Sequence, residues 1–151
     1  MNASVENITG TDVLSLIPQR PPMAMVDAFR GIDVDGLSWT GLTVRADNVF
    51  VLGGVFIAPG VIEHMAQSAA ARAGYLCMKE GRAVPVGFIA SIENMTFSCC
   101  LPHEGDTLET SVEVVADIFN MSLVHAVCRA GGNIVAEGNM KIYTQDETQK
   151  A

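Results

Sequence analysis

The second half of the chain alternates apolar and polar residues with a period of two, the spacing of strands with one buried face. Short breaks rich in glycine, proline and aspartate divide this stretch into four predicted strands. They cover residues 86–97, 107–116, 120–130 and 133–143. Gly131 and Gly132 predict that the last two strands form a tight hairpin.

The first half of the chain contains shorter elements. A short capped helix is predicted over residues 11–17 and is ended by a proline. Two strands are predicted at 23–32 and 37–44, and the apolar segment 49–58 has no regular period. Two strands, one long helix and a four-strand meander form an α+β order rather than alternating β and α units.

The long helix is predicted from Gly60 to about Lys79. Pro59 fits its first turn, where a missing N–H is tolerated, and Gly81 is a suitable stop. Small residues occur on several faces, which indicates a helix surrounded by protein. One face is predicted to let a sheet approach closely, and it consists of Ile62, Ala66, Ala69, Ala73 and Leu76.

A second face of this helix carries polar candidates. Glu63 and Gln67 are four residues apart, so their side chains are neighbours, and Glu63 is predicted to be at least partly buried. Glu63 either supports the helix N-terminus electrostatically or acts as a catalytic carboxylate beside backbone N–H groups that polarise a carbonyl. His64 lies about 100° further round the helix. It is a second catalytic candidate that reaches a neighbouring subunit's pocket, or it packs at the subunit interface.

Composition narrows the classes of partner. The chain has 151 residues, 49% of them apolar, which predicts one domain over 1–151 with its core at about 11–143. A mean hydropathy of +0.30 predicts apolar surface buried between subunits, in a dimer or larger oligomer. A net charge of −8 without a basic cluster argues against nucleic acid and against an anionic membrane.

The cysteines and the N-terminus predict a cytoplasmic protein. Four cysteines without a CxxC pair indicate reduced thiols and no metal site. The first residues lack the basic and apolar regions of a signal peptide. Local basic residues could still contact a phosphate-bearing ligand or a carrier protein, or they are solvated surface charges. The candidates are Arg20, Arg72, Lys79 and Arg82.

Four segments resemble a known family. LIPQRPPMAMVD at 16–27 is similar to an N-terminal Leu-Pro-His-Arg motif followed by Val-Asp. PGVIEHMAQ at 59–67 is similar to a central helix that begins Pro-Gly-Val and continues Glu-x-x-Ala-Gln. The strand at 88–92 and the Pro-Gly-Asp turn at 102–108 resemble the elements that follow. Over about residues 11–143 the chain therefore resembles the hot-dog-fold 3-hydroxyacyl-ACP dehydratases.

The resemblance implies a hot-dog fold, in which an antiparallel sheet wraps a long central helix, and an active site between two subunits. It implies a substrate carried on the phosphopantetheine of acyl carrier protein or coenzyme A, with no further cofactor. In that family, a loop His of one subunit removes the α proton, and a helix Glu of the other subunit assists the loss of water. Glu63 would take the acid role, Gln67 would orient the site, and Gly60 would lie near the backbone donor to the thioester oxygen.

The chain departs from this family at the loop base. Gly54 stands where the His would be, in the substrate-binding loop, and the loop is shorter. Proton transfer by such a base accelerates a reaction by about 10²–10⁴-fold, so the usual dehydration should be nearly abolished without the His. The chain also resembles the divergent dehydratase-like proteins of aryl-polyene and pigment pathways, which often work beside a second hot-dog subunit. None of His64, His103 and His125 reproduces the family's His from sequence alone.

Two alternatives to a dehydratase stay open. A hot-dog thioesterase would use Gly53, Gly54 and Glu63, although thioesterases usually have His where this chain has Leu52. A non-catalytic acyl-binding subunit of a heteromeric dehydratase would explain the missing His.

Overall fold

The computed structural model describes residues 7–98 and 100–145. Nine strands and one long helix, α1 (Ala58–Lys79), form most of this part of the chain. The strands are β1 (Ile8–Thr9), β2 (Ala28–Ile32), β3 (Ser38–Thr43), β4 (Val51–Leu52), β5 (Val55–Phe56), β6 (Val86–Phe97), β7 (Thr107–Ile118), β8 (Met121–Ala130) and β9 (Asn133–Gln145). A 3₁₀ helix, Gly10–Leu16, replaces the short helix predicted near the N-terminus, and no side chain caps it.

Seven strands form one antiparallel sheet in the order β1-β2-β3-β7-β8-β9-β6. Helix α1 packs on one face of this sheet and contacts β2, β3, β7 and β8. The four strands predicted from the second half are confirmed, and β7 and β9 each extend two residues further than predicted. This arrangement is the hot-dog fold that the sequence predicted. No helix in the described part of the chain has the length and apolar character needed to cross a membrane.

Helix α1 begins at Ala58, two residues before the predicted start. Pro59 lies in its first turn, where its missing N–H removes no helical hydrogen bond. Its last turn is closed by the N–H of Glu80, which donates to the Leu76 and Cys77 carbonyls. Gly81 follows with a φ of +69°, a left-handed conformation that favours glycine and ends the helix.

The predicted sheet-facing side of α1 is wrong in part. Of its five residues only Ala69 is buried, and Leu76 is 41% exposed. The larger side chains of Val61 and Met65 are fully buried in the main core instead. They fill the space between helix and sheet, because a long apolar side chain gains more from burial than alanine does. The alanines of this helix face line a cavity between the helix and the sheet.

The segment before β2 runs along α1 rather than extending the sheet. The strand predicted at 23–32 is therefore shortened to Ala28–Ile32. The N–H of Met25 donates to the side chain of Gln67 on α1 and so is not available for a strand partner. Gly74 permits the close approach, since a Cβ there would lie 1.9 Å from the Leu16 carbonyl oxygen.

The segment predicted to be irregular forms a small hairpin of β4 and β5. Gly53 and Gly54 make its two-residue turn, with φ values of +57° and +80°. Positive φ at both positions is the requirement of a type I′ turn, which glycine meets without strain. The Gly54 carbonyl accepts a hydrogen bond from the Glu104 N–H, so this hairpin packs on the turn before β7.

Candidate active site

A cavity of about 340 Å³ lies between α1 and the inner face of the sheet. This volume is in the range of small-molecule sites. Its helical wall consists of Glu63, Ala66, Ala69, Ala70, Arg72, Ala73 and Leu76. Residues of β6 to β9, with Gln19 and Pro85, form the remainder. The alanines of the helix thus provide a smooth apolar surface, with a carboxylate and a guanidinium among them.

Glu63 lies in this cavity wall and is half-buried, as predicted. Its Oε2 accepts a hydrogen bond of 2.9 Å from Nε2 of Gln67, which confirms that the two side chains are neighbours. No other hydrogen bond to its carboxylate occurs within the described residues. One carboxylate oxygen is therefore held in place, and the other is available to a ligand.

Gln67 is fully buried and holds this arrangement together. Its Oε1 accepts the Met25 N–H at 2.6 Å, and its Nε2 donates to the Met23 carbonyl at 2.9 Å. Because an N–H can only donate, Met25 determines which end of the amide is oxygen. The NH₂ group must then point to Met23 and Glu63. The loop before β2 thereby fixes the position of the cavity carboxylate.

His64 lies in the core, with none of its surface exposed. Its Nδ1 is 2.7 Å from the Met25 carbonyl oxygen, and its Nε2 is 2.9 Å from Oγ1 of Thr110 on β7. A carbonyl only accepts, so Nδ1 carries the proton and Nε2 accepts from the hydroxyl. Burial lowers the pKa of His64 to about 4, although the Met25 carbonyl raises it.

The structure therefore does not support the predicted catalytic role of His64. Both ring nitrogens are already bonded within the subunit, and the residue is absent from the cavity wall. A neighbouring thiol extends the same buried network. Burial raises the pKa of Cys128 to about 11, against the opposing effect of its hydrogen bond to Thr110. A thiol with so high a pKa is a poor nucleophile.

None of the four predicted substrate-binding residues lines the cavity, and Gln67 is connected to it only through its hydrogen bond to Glu63. Gly60 is buried where a Cβ would lie 2.6 Å from that of Phe50, and its N–H donates to the Ile57 carbonyl. Gly54 occupies the hairpin turn. Arg20 donates from Nη1 to three backbone carbonyls of its own loop, those of Leu14, Ile17 and Gln19. In this subunit each has a structural use.

The other two histidines also lie outside the cavity. His103 is exposed in the turn before β7, where its backbone pairs with Val55. His125 lies mid-strand in β8, with Nδ1 2.7 Å from Oδ1 of Asn139 and Nε2 4.0 Å from a carboxylate oxygen of Glu137. The described residues hold no group of three or more side chains suited to a metal ion. The cavity wall of this subunit thus contains the Glu63 carboxylate and no histidine.

Two cavity residues were not assigned to the cavity from the sequence. The sequence makes Arg72 a candidate for contact with phosphopantetheine or a carrier protein, or else a surface charge, and Gln19 only a part of the family motif. Each has a buried side-chain atom without a hydrogen-bond partner, Nε of Arg72 and Oε1 of Gln19. The signal for Arg72 was its place in an otherwise alanine-rich stretch, Ala69–Ala73. A charged residue there is unusual when the helix is enclosed by protein.

Comparison with known proteins agrees with this fold. The chain is 28% identical over 150 residues to the 3-hydroxyacyl-(acyl-carrier-protein) dehydratase FabZ of Acetivibrio thermocellus, covering 95% of this chain and 99% of that protein. It is 33% identical over 137 residues to FabZ of Rhizobium etli, covering 86% and 84%. The dehydratase heterocomplex ApeI:P from Xenorhabdus doucetiae contains a chain that superposes with a TM-score of 0.81 at 17% identity, covering 90% and 92%. The ApeP-like dehydratase family matches residues 11–151, so the chain belongs to the ApeP-like dehydratases and is dehydratase-like in function.

Proposed function

We propose that this chain supplies the acid half of a 3-hydroxyacyl-ACP dehydratase site, and that a second hot-dog subunit with a loop histidine supplies the base. The observation that carries the proposal is the Glu63 carboxylate, which lies in an acyl-sized cavity and is fixed by Gln67. The FabZ relatives, named as acyl-carrier-protein dehydratases, support the substrate class.

The proposed reaction removes water from the thioester. A base takes the proton from the carbon next to the thioester carbonyl, and the electron pair forms the double bond as the C3–OH bond breaks. Glu63 gives its proton to the departing hydroxyl, which leaves as water. The oxygen of Glu63 that Gln67 does not hold is the one available for this hydrogen bond. Gln67 is a positioning residue, since it acts only through Glu63.

The base must come from elsewhere in the assembly. None of the three histidines of this chain lines the cavity, and Gly54 occupies the turn where the resemblance places the loop base. A partner with an intact histidine loop would restore the pair of groups. The solved dehydratase heterocomplex, whose matching chain shares this fold, supports an assembly of two different subunits.

The edge strand β6 is the proposed contact with that partner. It is 12 residues long and has a hydrogen-bonded neighbour, β9, on one side only. An unpaired edge of this length offers a row of backbone donors and acceptors to another strand. Several apolar residues of β6 are exposed, namely Val86, Phe88, Ile89, Ile92 and Phe97. The first half of β6 also lines the cavity, so a partner paired here would close it.

The proposal is tested by reconstituting the two-subunit enzyme. This chain is purified with a hot-dog subunit that has an intact loop histidine, and the pair is given 3-hydroxyacyl-ACP substrates of different length. Enoyl-ACP formation by the pair, but not by this chain alone, is expected. Glu63→Gln keeps the shape and the Gln67 contact but cannot donate the proton, so turnover should fall by about 10²–10⁴-fold.

A matched control is Glu113→Gln, which removes an exposed carboxylate from β7 outside the cavity. Its turnover should equal that of the unchanged pair. Equal turnover with Glu63→Gln would refute the acid role and favour the non-catalytic subunit. Free thiol in place of the enoyl product would favour the thioesterase, in which the same carboxylate activates water.

A further inference from the structure

We infer that Arg72 is a substrate-binding residue that recognises an oxygen atom on the acyl chain, far from the thioester. The ligand class is an extended acyl chain with a neutral hydrogen-bond acceptor, such as a hydroxyl or carbonyl, near its distal end. The inference rests on the proposed function for the orientation of the chain, with its reacting carbons at Glu63.

The first support is the placement of Arg72. It lies in the cavity wall among small apolar side chains, between Ala69 and Ala73. Burial lowers the pKa of Arg72, and the charge of Asp33 opposes this. A partly buried guanidinium gains from a ligand group that accepts a hydrogen bond, because burial of an unpaired polar group costs free energy.

The second support is the unused donors of Arg72. Nη1 donates to the Gly36 carbonyl at 2.8 Å, which anchors the side chain to the turn between β2 and β3. Nε is buried and has no partner. In the described part of the chain the guanidinium makes no other hydrogen bond. Of the five N–H donors of the guanidinium, one on Nη1 is used and the one on Nε is enclosed, so three on Nη1 and Nη2 remain for a ligand.

The turn keeps the guanidinium in place before any ligand binds. Oδ2 of Asp33 accepts from Nε1 of Trp39 at 2.9 Å, and its Oδ1 accepts from the N–H groups of Asp35 and Leu37. Asp33 is thus held in a fixed position, and its negative charge raises the pKa of Arg72. A charged donor that is already oriented loses little entropy when it binds its acceptor.

Arg72 and Glu63 lie at opposite edges of the cavity wall. An advance of nine residues is a rise of about 13.5 Å and a rotation of about 900°, so the two side chains leave the helix on opposite sides. An acyl chain that contacts both must follow the alanine surface between them, and the rise alone corresponds to roughly ten bonds of extended hydrocarbon. The alanines at 66, 69, 70 and 73 form a smooth apolar surface between these two polar residues. The ligand is therefore polar at both ends and apolar between them.

The charges of the cavity indicate that the distal group is neutral. Glu63 must carry a proton to act as the acid, but the wall also contains the carboxylate of Asp117, which is hydrogen-bonded to Ser122 at 2.7 Å. Asp33 further offsets the charge of Arg72 from behind. A distal carboxylate would face this excess of negative charge, whereas a hydroxyl or carbonyl would not.

Binding to the unmodified full chain tests the inference without turnover. The probes are two pantetheine thioethers, one with a dodecyl chain and one with an ω-hydroxydodecyl chain, measured by calorimetry. The quantity compared is the ratio of their Kd values. Arg72→Met should shift this ratio against the hydroxylated probe by roughly ten- to a hundredfold, as expected for a lost hydrogen bond to a charged group. Arg72→Lys, which keeps a charged donor, should shift it less.

The controls separate recognition from general loosening of the fold. Arg45→Met, at an exposed arginine outside the cavity, should leave the ratio unchanged. Glu63→Gln should also leave it unchanged, so failure of the acid role and failure of this inference give different results. An unchanged ratio in Arg72→Met, or no binding of either probe to the unmodified chain, would overturn the inference. A purely structural Arg72 would weaken both probes equally.

Discussion

Two adjacent residues of helix α1, Glu63 and His64, have opposite environments. Glu63 is half-buried in a cavity wall with one carboxylate oxygen held, whereas His64 is fully buried with both ring nitrogens bonded. One residue of helix advance is a rotation of about 100°, which is enough to move a side chain from cavity to core. A titratable group can act on a ligand only if part of its bonding capacity remains free.

The largest expected difference between the two positions is in turnover. In the two-subunit assay described above, Glu63→Gln should lower kcat by about 10²–10⁴-fold. Its free energy of unfolding should change by less than about 1 kcal/mol, since the half-buried side chain keeps its shape and its contact with Gln67. Urea titration of the same preparation measures this. A large loss of stability in Glu63→Gln would show that Glu63, like His64, is a structural residue.

His64→Leu should have the largest effect on stability. It leaves the Met25 carbonyl and the Thr110 hydroxyl without their partner in the core, which should lower the free energy of unfolding by roughly 3 kcal/mol. Urea titration measures it, with His103→Leu in the exposed turn as the control, expected within about 0.5 kcal/mol. A stable His64→Leu protein would contradict the structural assignment.

Acid should weaken the fold through the same residue. His64 has a pKa of about 4 in the folded chain against an ordinary value of 6.5, so between these values the unfolded chain binds more protons. The free energy of unfolding that neutral His64 contributes is fully present above pH 6.5. It decreases as the pH falls toward 4, and the total loss is about 3 kcal/mol. Unfolding free energies measured across this window should show the slope, and His64→Leu should remove it. The same slope in both proteins would assign it to other groups.

Ser68→Ala should have the smallest effect, one helical turn beyond His64. Ser68 is buried, and its Oγ donates to the His64 carbonyl at 2.7 Å. That carbonyl is within the helix and keeps its backbone environment, so the loss should be about 0.5–1 kcal/mol. Thermal melting should place this variant between the unchanged chain and His64→Leu. A loss as large as that of His64→Leu would show that the whole polar network acts as one unit.

Much of the fold followed from local patterns. Strand β6 was predicted with its observed bounds, and α1 within two residues of its start, because periodicity and the Pro59 and Gly81 signals are properties of the nearby chain. The neighbouring placement of Glu63 and Gln67 followed from helical geometry in the same way. Strand β2 is shorter than predicted. Gln67, which lies 42 residues from Met25 in the sequence, accepts the Met25 N–H that would otherwise pair in the sheet.

The sequence alone determined the order of the longer elements, the helix with its paired Glu63 and Gln67, and the absence of a histidine at Gly54, since each depends on residue identity or short spacing. Only the tertiary structure decided which side of α1 faces the core. The volumes of Val61 and Met65, the approach of Leu16 to Gly74 and the partners on β7 together set the rotation of the helix. That rotation buried His64 and brought Arg72 into the cavity, because packing sums contacts from segments distant in the chain.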